Sequence, residues 1–417
     1  SNVAMGITAL DAVTTGDYNV AIGHDALSSN TTGNYNTASG FYSLRENTTG
    51  TFNTATGSGS LQNNTTGTFN TANGREALLN NTTGGRNIAF GNGALDAADT
   101  ENDNLAIGYD ALGGAIAGGE YNVAIGNYSL DANTSGDENV AVGYNSLGAN
   151  TTGKGNTAIG SEGLKANTTG DYNTASGSWA LHSNTTGDGN TAIGSEALKA
   201  NTTGTQNVAT GAEALKANTT GSYNTATGLQ SLKANTTGSS NTATGIFSLN
   251  ANTEGDKNTA TGYSLYANTT GDDNIGMGYD ALAANTTGTR NIAIGNGALD
   301  APDTENDNLA IGYDALGGSI EGGGFNLAIG NYSLDALTGG DYNVAVGYNA
   351  LTDNTTGSYN TATGGSSLGD NTTGTNNTAS GYASMRLNTT GSNNTASGYA
   401  SLYENTEGDR NTATGAF

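Results

Sequence analysis

The sequence lacks cysteine and contains little proline, histidine or charge. Its 417 residues include no cysteine, one proline and two histidines, and 12% of residues are charged. Without cysteine, no disulfide can stabilise the fold. No apolar run approaches the roughly 20 residues of a membrane-spanning helix, and no signal peptide is recognisable, so we expect no membrane insertion in this segment. Because the chain begins at Ser1, we expect a mature product or a window on a longer chain.

Basic residues are also scarce. Twelve Lys and Arg stand against 37 Asp and Glu, which gives a formal net charge of −25 and a pI near 4.1. A surface this acidic repels phosphate backbones, so nucleic acid is not expected as a partner. The same charge keeps a long particle soluble and attracts divalent cations.

Apolar residues make up only 34% of the chain, and glycine contributes 66 residues. Such a composition can indicate disorder. Here, however, a strict repeat runs through the whole sequence. The motif N-x-A-x-G occurs 25 times between Asn2 and Asn411, mostly at intervals of 17 residues. Steps of 18 residues lead to Asn122 and Asn326, and one step of 16 leads to Asn274. A repeat this regular excludes disorder and predicts a solenoid.

Each slot of the repeat has a physical interpretation. The N-x-A-x-G segment alternates with period two, as a short strand does. A leucine follows eight residues after most of the motif asparagines, and the corner N-T-T-G comes next. Glycine there and after the strand suits corners that need a positive φ. The asparagines are expected to stack in ladders along the edge, with alanine and leucine in a narrow interior. The structural ladder in one coil is Asn19, Ala21, Gly23, Leu27, Asn30 and Gly33.

The repeat therefore predicts an all-β fold, a parallel β-solenoid of about 25 coils of 17 residues with two short strands per coil. We expect residues 1–417 to form a single continuous solenoid. A longer period lies above the coil: residues 87–153 recur at 291–357, which is 204 residues later. The array therefore grew by block duplication. It also stops in mid-coil, from which we expect that the chain continues or that its ends stack on other subunits.

The x slots of the strand motif vary between coils. They are hydroxylic in some coils, as in Thr54 and Thr56, and aliphatic in others. Successive aliphatic pairs would form an exposed apolar stripe, which soluble monomers avoid. We therefore predict a packed partner chain, preferably in a homotrimer. The interface candidates are Val123, Ile125, Val140, Val142, Ile292, Ile294, Leu309 and Ile311.

Three runs carry a family resemblance: residues 19–23 (NVAIG), 122–126 (NVAIG) and 139–143 (NVAVG). They resemble the head repeat of trimeric autotransporter adhesins, and the Asn/Thr/Gly-rich coils also resemble repeats of phage tail-fibre-like proteins. The resemblance implies a left-handed parallel β-roll, a homotrimer, a cell-surface position and adhesive or fibrous work. The present coil is longer than the family's usual repeat and carries the additional N-T-T-G corner.

Few residues suggest site chemistry. Two acidic loops offer alternating oxygen ligands of the kind that calcium prefers, although a solvated acidic loop is the simpler interpretation. The calcium candidates are Asp99, Glu101, Asp103, Asp303, Glu305 and Asp307. His24 and His182 are expected to be surface residues without catalytic partners. The N-T-T triplets also match the glycosylation sequon, and recurring tyrosines such as Tyr18 and Tyr35 either stack between coils or offer a sticky surface.

The sequence thus predicts an extracellular structural and adhesive fibre protein that is not an enzyme and needs no cofactor except, on the alternative above, calcium. Its expected partners are other copies of itself, as a trimer or an end-to-end filament, and glycans or proteins on a host or other surface. An alternative is an ice-binding protein that uses Thr-x-Thr faces. A polysaccharide-degrading enzyme is disfavoured, because no cluster of carboxylates interrupts the repeat.

Overall fold

The computed structural model describes residues 1–114 and 118–417. In this part of the chain, 25 three-residue parallel strands joined by turns form a β-solenoid with 17-residue coils, and no helix is present. The predicted fold class is therefore confirmed. Two compact units, Ser1–Asn207 and Val208–Phe417, divide the chain. Residues 115–117, inside the first copy of the duplicated block, lie outside the described residues.

The described part of the first unit contains twelve strands. Their bounds are β1 Val3–Met5, β2 Val20–Ile22, β3 Thr37–Ser39, β4 Thr54–Thr56, β5 Thr71–Asn73, β6 Ile88–Phe90, β7 Leu105–Ile107, β8 Val123–Ile125, β9 Val140–Val142, β10 Thr157–Ile159, β11 Thr174–Ser176 and β12 Thr191–Ile193. Each strand pairs in parallel with the next, and equivalent residues pair with each other, so that Ala21 lies beside Ala38.

The second unit contains thirteen strands with the same parallel pairing. Their bounds are β13 Val208–Thr210, β14 Thr225–Thr227, β15 Thr242–Thr244, β16 Thr259–Thr261, β17 Ile275–Met277, β18 Ile292–Ile294, β19 Leu309–Ile311, β20 Leu327–Ile329, β21 Val344–Val346, β22 Thr361–Thr363, β23 Thr378–Ser380, β24 Thr395–Ser397 and β25 Thr412–Thr414. The shortened coil still pairs Thr259 with Ile275, so its missing residue is taken from a turn.

The interior is built from the predicted alanine and leucine slots. Ala21 and Leu27 are fully buried, and their equivalents in most other coils are buried too. The residue before each leucine is a small one, such as Ala26 or Ser43, and it is also buried. Small side chains opposite leucine keep the coil narrow and close-packed.

The asparagines form ladders, but these lie inside the coil rather than along its edge as expected. Asn19 and Asn30 are both buried. In the strand ladder, the backbone N–H of Asn36 donates to Oδ1 of Asn19 at 2.9 Å. In the corner ladder, Nδ2 of Asn47 donates to Oδ1 of Asn30 at 2.9 Å and to the carbonyl oxygen of Gly50 at 3.1 Å. Because an unpaired buried amide costs about 1–3 kcal/mol, each rung depends on the next.

The prediction of two strands per coil is wrong, because the described coils have one strand each. The segment around the leucine is a turn, in which Asp25 and Leu27 have φ values of 54° and 53°. Such left-handed residues cannot belong to an extended strand. Coils nevertheless stay hydrogen-bonded here, since the N–H of Leu27 donates to the carbonyl oxygen of Ser43 at 3.0 Å.

The two glycine slots serve different purposes. Gly23, after the strand, has a φ of 136°, which confirms the expected positive-φ corner. The same expectation for the N-T-T-G glycine is wrong, because Gly33 does not have a positive φ. A Cβ at Gly33 would instead collide with Oδ1 of Asn30 and the carbonyl oxygen of Gly50. Glycine is needed there so that the asparagine ladder can approach the backbone.

Candidate functional site

The outward face of the strands consists of the two side chains that flank each buried alanine. All eight predicted interface residues lie on this face and are partly exposed. They are Val123, Ile125, Val140 and Val142 in the first unit, and Ile292, Ile294, Leu309 and Ile311 in the second. The structure therefore brings each set of four together on neighbouring strands.

Neighbouring coils extend both sets into longer surfaces. In the first unit, Ile88, Phe90, Leu105 and Ile107 precede the four candidates on strands β6–β9, and we call this surface the first apolar bank. In the second unit, the outward residues of β18–β21 form the second apolar bank, which also contains Leu327, Ile329, Val344 and Val346. Contiguous exposed apolar side chains of this kind mark interaction surfaces.

A different surface follows in the second unit. The outward residues of β22–β25 are all hydroxylic, and we call them the hydroxyl bank: Thr361, Thr363, Thr378, Ser380, Thr395, Ser397, Thr412 and Thr414. The strands pair in register, so the hydroxyl groups form two parallel rows.

Aromatic residues directly before the strand motif form stacked rows. Tyr18, Tyr35, Phe52 and Phe69 stack successively, with ring centroids 4.9, 4.9 and 5.0 Å apart and planes within 5° of parallel. In the second unit, Phe325, Tyr342 and Tyr359 stack at 4.9 and 5.2 Å. The stacking of tyrosines between coils is thus confirmed for these rows, and their rings remain about half exposed.

The acidic loops do not gather their carboxylates. Glu101 is buried, and its carboxylate accepts hydrogen bonds from the backbone N–H groups of Asp99 at 2.8 Å and Gly118 at 2.9 Å. Asp103 forms an ion pair with Arg86 at 2.6 Å, and this lowers the pKa of Asp103.

The hydroxyl of Thr82 donates to the carboxylate of Asp99. The second loop repeats this arrangement: Glu305 accepts from Asp303 and Gly322, Asp307 pairs with Arg290, and Asp303 accepts from Thr286. Among residues 1–114 and 118–417 no group of three His, Cys, Asp or Glu side chains could hold a metal ion. Calcium binding at these loops stays a prediction without geometric support.

A second set of aspartates, which the sequence reasoning missed, lies at the leucine turns. Burial and the charge of Asp110 raise the pKa of Asp96 to about 6, and the same two causes raise the pKa of Asp131. The duplicated block repeats the set, because burial and the charge of Asp314 raise the pKa of Asp300 and Asp335. The signal was present in the sequence, since Asp96, Asp131, Asp300 and Asp335 each directly follow a core leucine.

Both histidines have polar neighbours, contrary to the expectation for His182. Its Nε2 lies 3.2 Å from Oε2 of Glu162, and its Nδ1 lies 3.3 Å from the hydroxyl of Ser183. Lys165 approaches the same Glu162 oxygen at 3.3 Å. His24 lies 3.3 Å from the carboxylate of Asp25. The carboxylate of Glu162 is thus shared between two basic side chains.

The asparagines of the N-T-T triplets are unsuited to modification in the folded chain. Asn150 is typical: it is buried, and its Nδ2 donates to Oδ1 of Asn133 and to the carbonyl oxygen of Gly153, both at 3.0 Å. A sugar on this nitrogen would break both bonds. The ladder therefore accounts for the triplets.

The chain matches no protein-family model, and a search of curated proteins likewise gives no match. Within residues 1–114 and 118–417, no helix has the length and apolar character needed to cross a bilayer. The functional argument therefore rests on the surfaces described above.

Proposed function

We propose that this chain is an extracellular structural and adhesive fibre protein and that it catalyses no reaction. The observation that carries the proposal is the contrast between a uniform interior and variable outward faces. The buried slots repeat almost without change, whereas the outward strand residues alternate between apolar and hydroxylic banks. A scaffold that holds many surface residues at a fixed spacing suits multivalent attachment, in which many weak contacts act together.

Self-association through the apolar banks is the first part of this proposal. Each bank exposes eight apolar side chains on four adjacent strands, and burying them against other copies would remove that surface from water. The resemblance to trimeric autotransporter adhesin heads favours three chains in left-handed rolls packed side by side. A cell-surface position follows from the same resemblance.

Absolute mass in solution tests the trimer. Light scattering should give about three times the chain mass of 41.5 kDa. Replacing Val123, Ile125, Ile292 and Ile294 together by threonine should shift the mass toward one chain, because it places a natural hydroxyl pair in each bank. The matched control replaces Thr242 and Thr244 by serine and should keep the trimer. A monomeric unsubstituted chain would overturn the trimer.

Attachment is the second part of the proposal. The expected ligands are glycans or proteins on another surface, and the expected higher assembly is a filament of end-to-end copies. Negative-stain images of the light-scattering sample distinguish short rods from filaments. Binding to immobilised glycans or to cell surfaces, measured with the trimer and with the four-residue threonine variant, tests whether adhesion requires multivalency.

Ice binding is a second candidate, and the hydroxyl bank is the observation that favours it. Two in-register rows of Thr and Ser on four adjacent strands present a regular array of hydroxyl groups. Thermal hysteresis at high protein concentration is the test. Replacement of Thr378 and Thr395 by lysine should abolish hysteresis if this surface orders water, and the absence of hysteresis in the unsubstituted chain would exclude the candidate.

A further inference from the structure

Three pairs of tyrosines stack on each other between neighbouring coils. The ring centroids are 4.9 Å apart in Tyr18–Tyr35, 5.2 Å apart in Tyr342–Tyr359 and 5.5 Å apart in Tyr382–Tyr399. The ring planes deviate from parallel by 5°, 5° and 18°. Each pair lies within one compact unit.

The backbone holds the partners of each pair at one coil spacing. The N–H of Tyr35 donates to the carbonyl oxygen of Asp17 at 3.1 Å, next to Tyr18. The N–H of Tyr359 donates to Asp341 at 2.9 Å, next to Tyr342. The two rings of a pair therefore stay neighbours without any contribution from a binding partner.

All six rings are accessible from solvent. Their exposed fractions lie between 48% and 57%. A reagent in solution can therefore reach each phenol, and the exposed side chains have room to rotate. Buried rings packed at interior density would have neither property.

We propose that these pairs are sites of oxidative cross-linking, at which a peroxidase-type oxidant joins adjacent coils through dityrosine. Each phenol gives up one electron and one proton to form a tyrosyl radical. The two radicals form a carbon–carbon bond between ring positions ortho to the hydroxyl groups, and the hydrogens on those carbons move to the oxygens as the rings regain aromaticity. Hydrogen peroxide accepts the two electrons and two protons and is reduced to two waters.

The consequence would be a covalent link between coils in a chain that has no cysteine. Coils of a solenoid contact only their neighbours, so local opening can spread from one coil to the next. A bond between residues 17 positions apart restricts the unfolded chain in the way a disulfide of that span does. This inference goes beyond the proposed fibre function and does not depend on trimer formation.

The test is oxidation of the full chain with peroxidase and hydrogen peroxide, followed by peptide mass spectrometry. Cleavage at aspartate separates the first two pairs, because Asp25 and Asp353 lie between their members, and cleavage at Arg386 separates Tyr382 from Tyr399. Cross-linked peptide pairs should weigh two hydrogens less than the sum of their parts. An equal mixture of ordinary and nitrogen-15-labelled chain should give products that are wholly light or wholly heavy, because the bond forms within one chain.

The matched control is Tyr35→Phe, which copies the natural Phe52 of the next coil. It should abolish the Tyr18 cross-link and leave Tyr342–Tyr359 unaffected. Oxidation in concentrated urea should remove the preference for the three stacked pairs. The proposal is overturned if the folded chain yields no Tyr18–Tyr35 or Tyr342–Tyr359 product, if mixed-isotope products dominate, or if urea leaves the same pairs at the same yield.

Discussion

The second apolar bank and the hydroxyl bank occupy consecutive strands of the same unit, β18–β21 and β22–β25. Their interiors are alike: Ala328 and Leu334 in one region and Ala379 and Leu368 in the other are fully buried. Their outward faces differ completely, since one carries Ile, Leu and Val and the other only Thr and Ser. The comparison indicates that the coil fixes its interior and leaves its outward strand face free to vary.

The corner ladder differs between the two regions as well. Next to the hydroxyl bank, the corner slot holds Asn371, Asn388 and Asn405, which are linked by hydrogen bonds of 2.8 and 3.0 Å. Next to the second apolar bank, three successive corners hold Pro302, Ile320 and Leu337, all buried. The corner thus accepts either a continuous amide ladder or an apolar filling, provided that the slot remains filled.

The largest expected effect comes from removing an interior leucine in either region. Leu334→Ala and Leu368→Ala should each lower the free energy of unfolding by about 2–5 kcal/mol, because each leaves a cavity in a fully buried slot. Equal losses, measured by urea denaturation of each variant, would support the equivalence of the two interiors. Leu368→Met is the control, since Met385 occupies the next coil naturally, and it should cost less than about 1.5 kcal/mol.

A pH effect should distinguish the regions next. The pKa of Asp96, beside the first apolar bank, is raised from 3.8 to about 6, so the folded chain favours its protonated form. This stabilisation is complete below pH 3.8 and is lost as the pH rises through about 6. Allowing for partial exposure, the loss at neutral pH is about 1–2 kcal/mol.

Amide hydrogen exchange at pH 4 and pH 7 provides the measurement. Protection of the coil around Asp96 should fall as the pH rises, and Asp96→Asn should remove most of that change. Burial and the charge of Asp314 raise the pKa of Asp300, so the second apolar bank should behave in the same direction. Equal pH dependence in the hydroxyl-bank coils would contradict this explanation.

A smaller gain should come from restoring an interrupted ladder. Among the described residues, Oδ1 of the buried Asn81 has no hydrogen-bond partner, because the next corner slot holds Ala98. Ala98→Asn would supply the missing Nδ2 donor and should raise the free energy of unfolding by about 1 kcal/mol. Ala98→Leu, which adds bulk without a donor, is the control, and an equal gain from it would attribute the effect to packing.

The smallest effect on stability should come from exchanging the outward faces. Thr378→Val with Ser380→Ile converts one hydroxyl pair into an apolar pair and should change the free energy of unfolding by no more than about 0.5 kcal/mol. Association should nevertheless increase, because the apolar surface becomes larger. Light scattering over a range of concentrations measures it, with Thr378→Ser as the control. A large loss of stability would mean that these positions contribute to the core.

Several features could be read from the repeat alone. Fixed spacing predicted parallel, in-register coils, since residues that recur every coil must stack on their equivalents. Invariant Ala and Leu slots predicted the interior, and the mixed x slots predicted a partly exposed face. The eight interface candidates therefore lie where the sequence placed them, on the outward faces of β8, β9, β18 and β19. Whether they contact a partner chain stays a prediction.

Other features depended on the path of the chain between strands. Three-residue strands and left-handed turns at residues such as Leu27 replaced the expected second strand. The same path turned the asparagines inward and brought Gly33 against Oδ1 of Asn30. It also gave Asp99, Glu101 and Asp103 separate hydrogen-bonding partners. Neither the turn dihedrals nor these side-chain partners follow from spacing alone.

The sequence by itself thus determined the period, the register and the identity of the buried apolar slots, because a one-dimensional repeat stacks each residue on its own equivalent. Only the tertiary structure decided which polar groups lie inside, which carboxylates are paired and which rings stack. Those contacts depend on where the turns direct each side chain across neighbouring coils. A repeat fixes which residues are neighbours, and the backbone dihedrals decide which of their atoms meet.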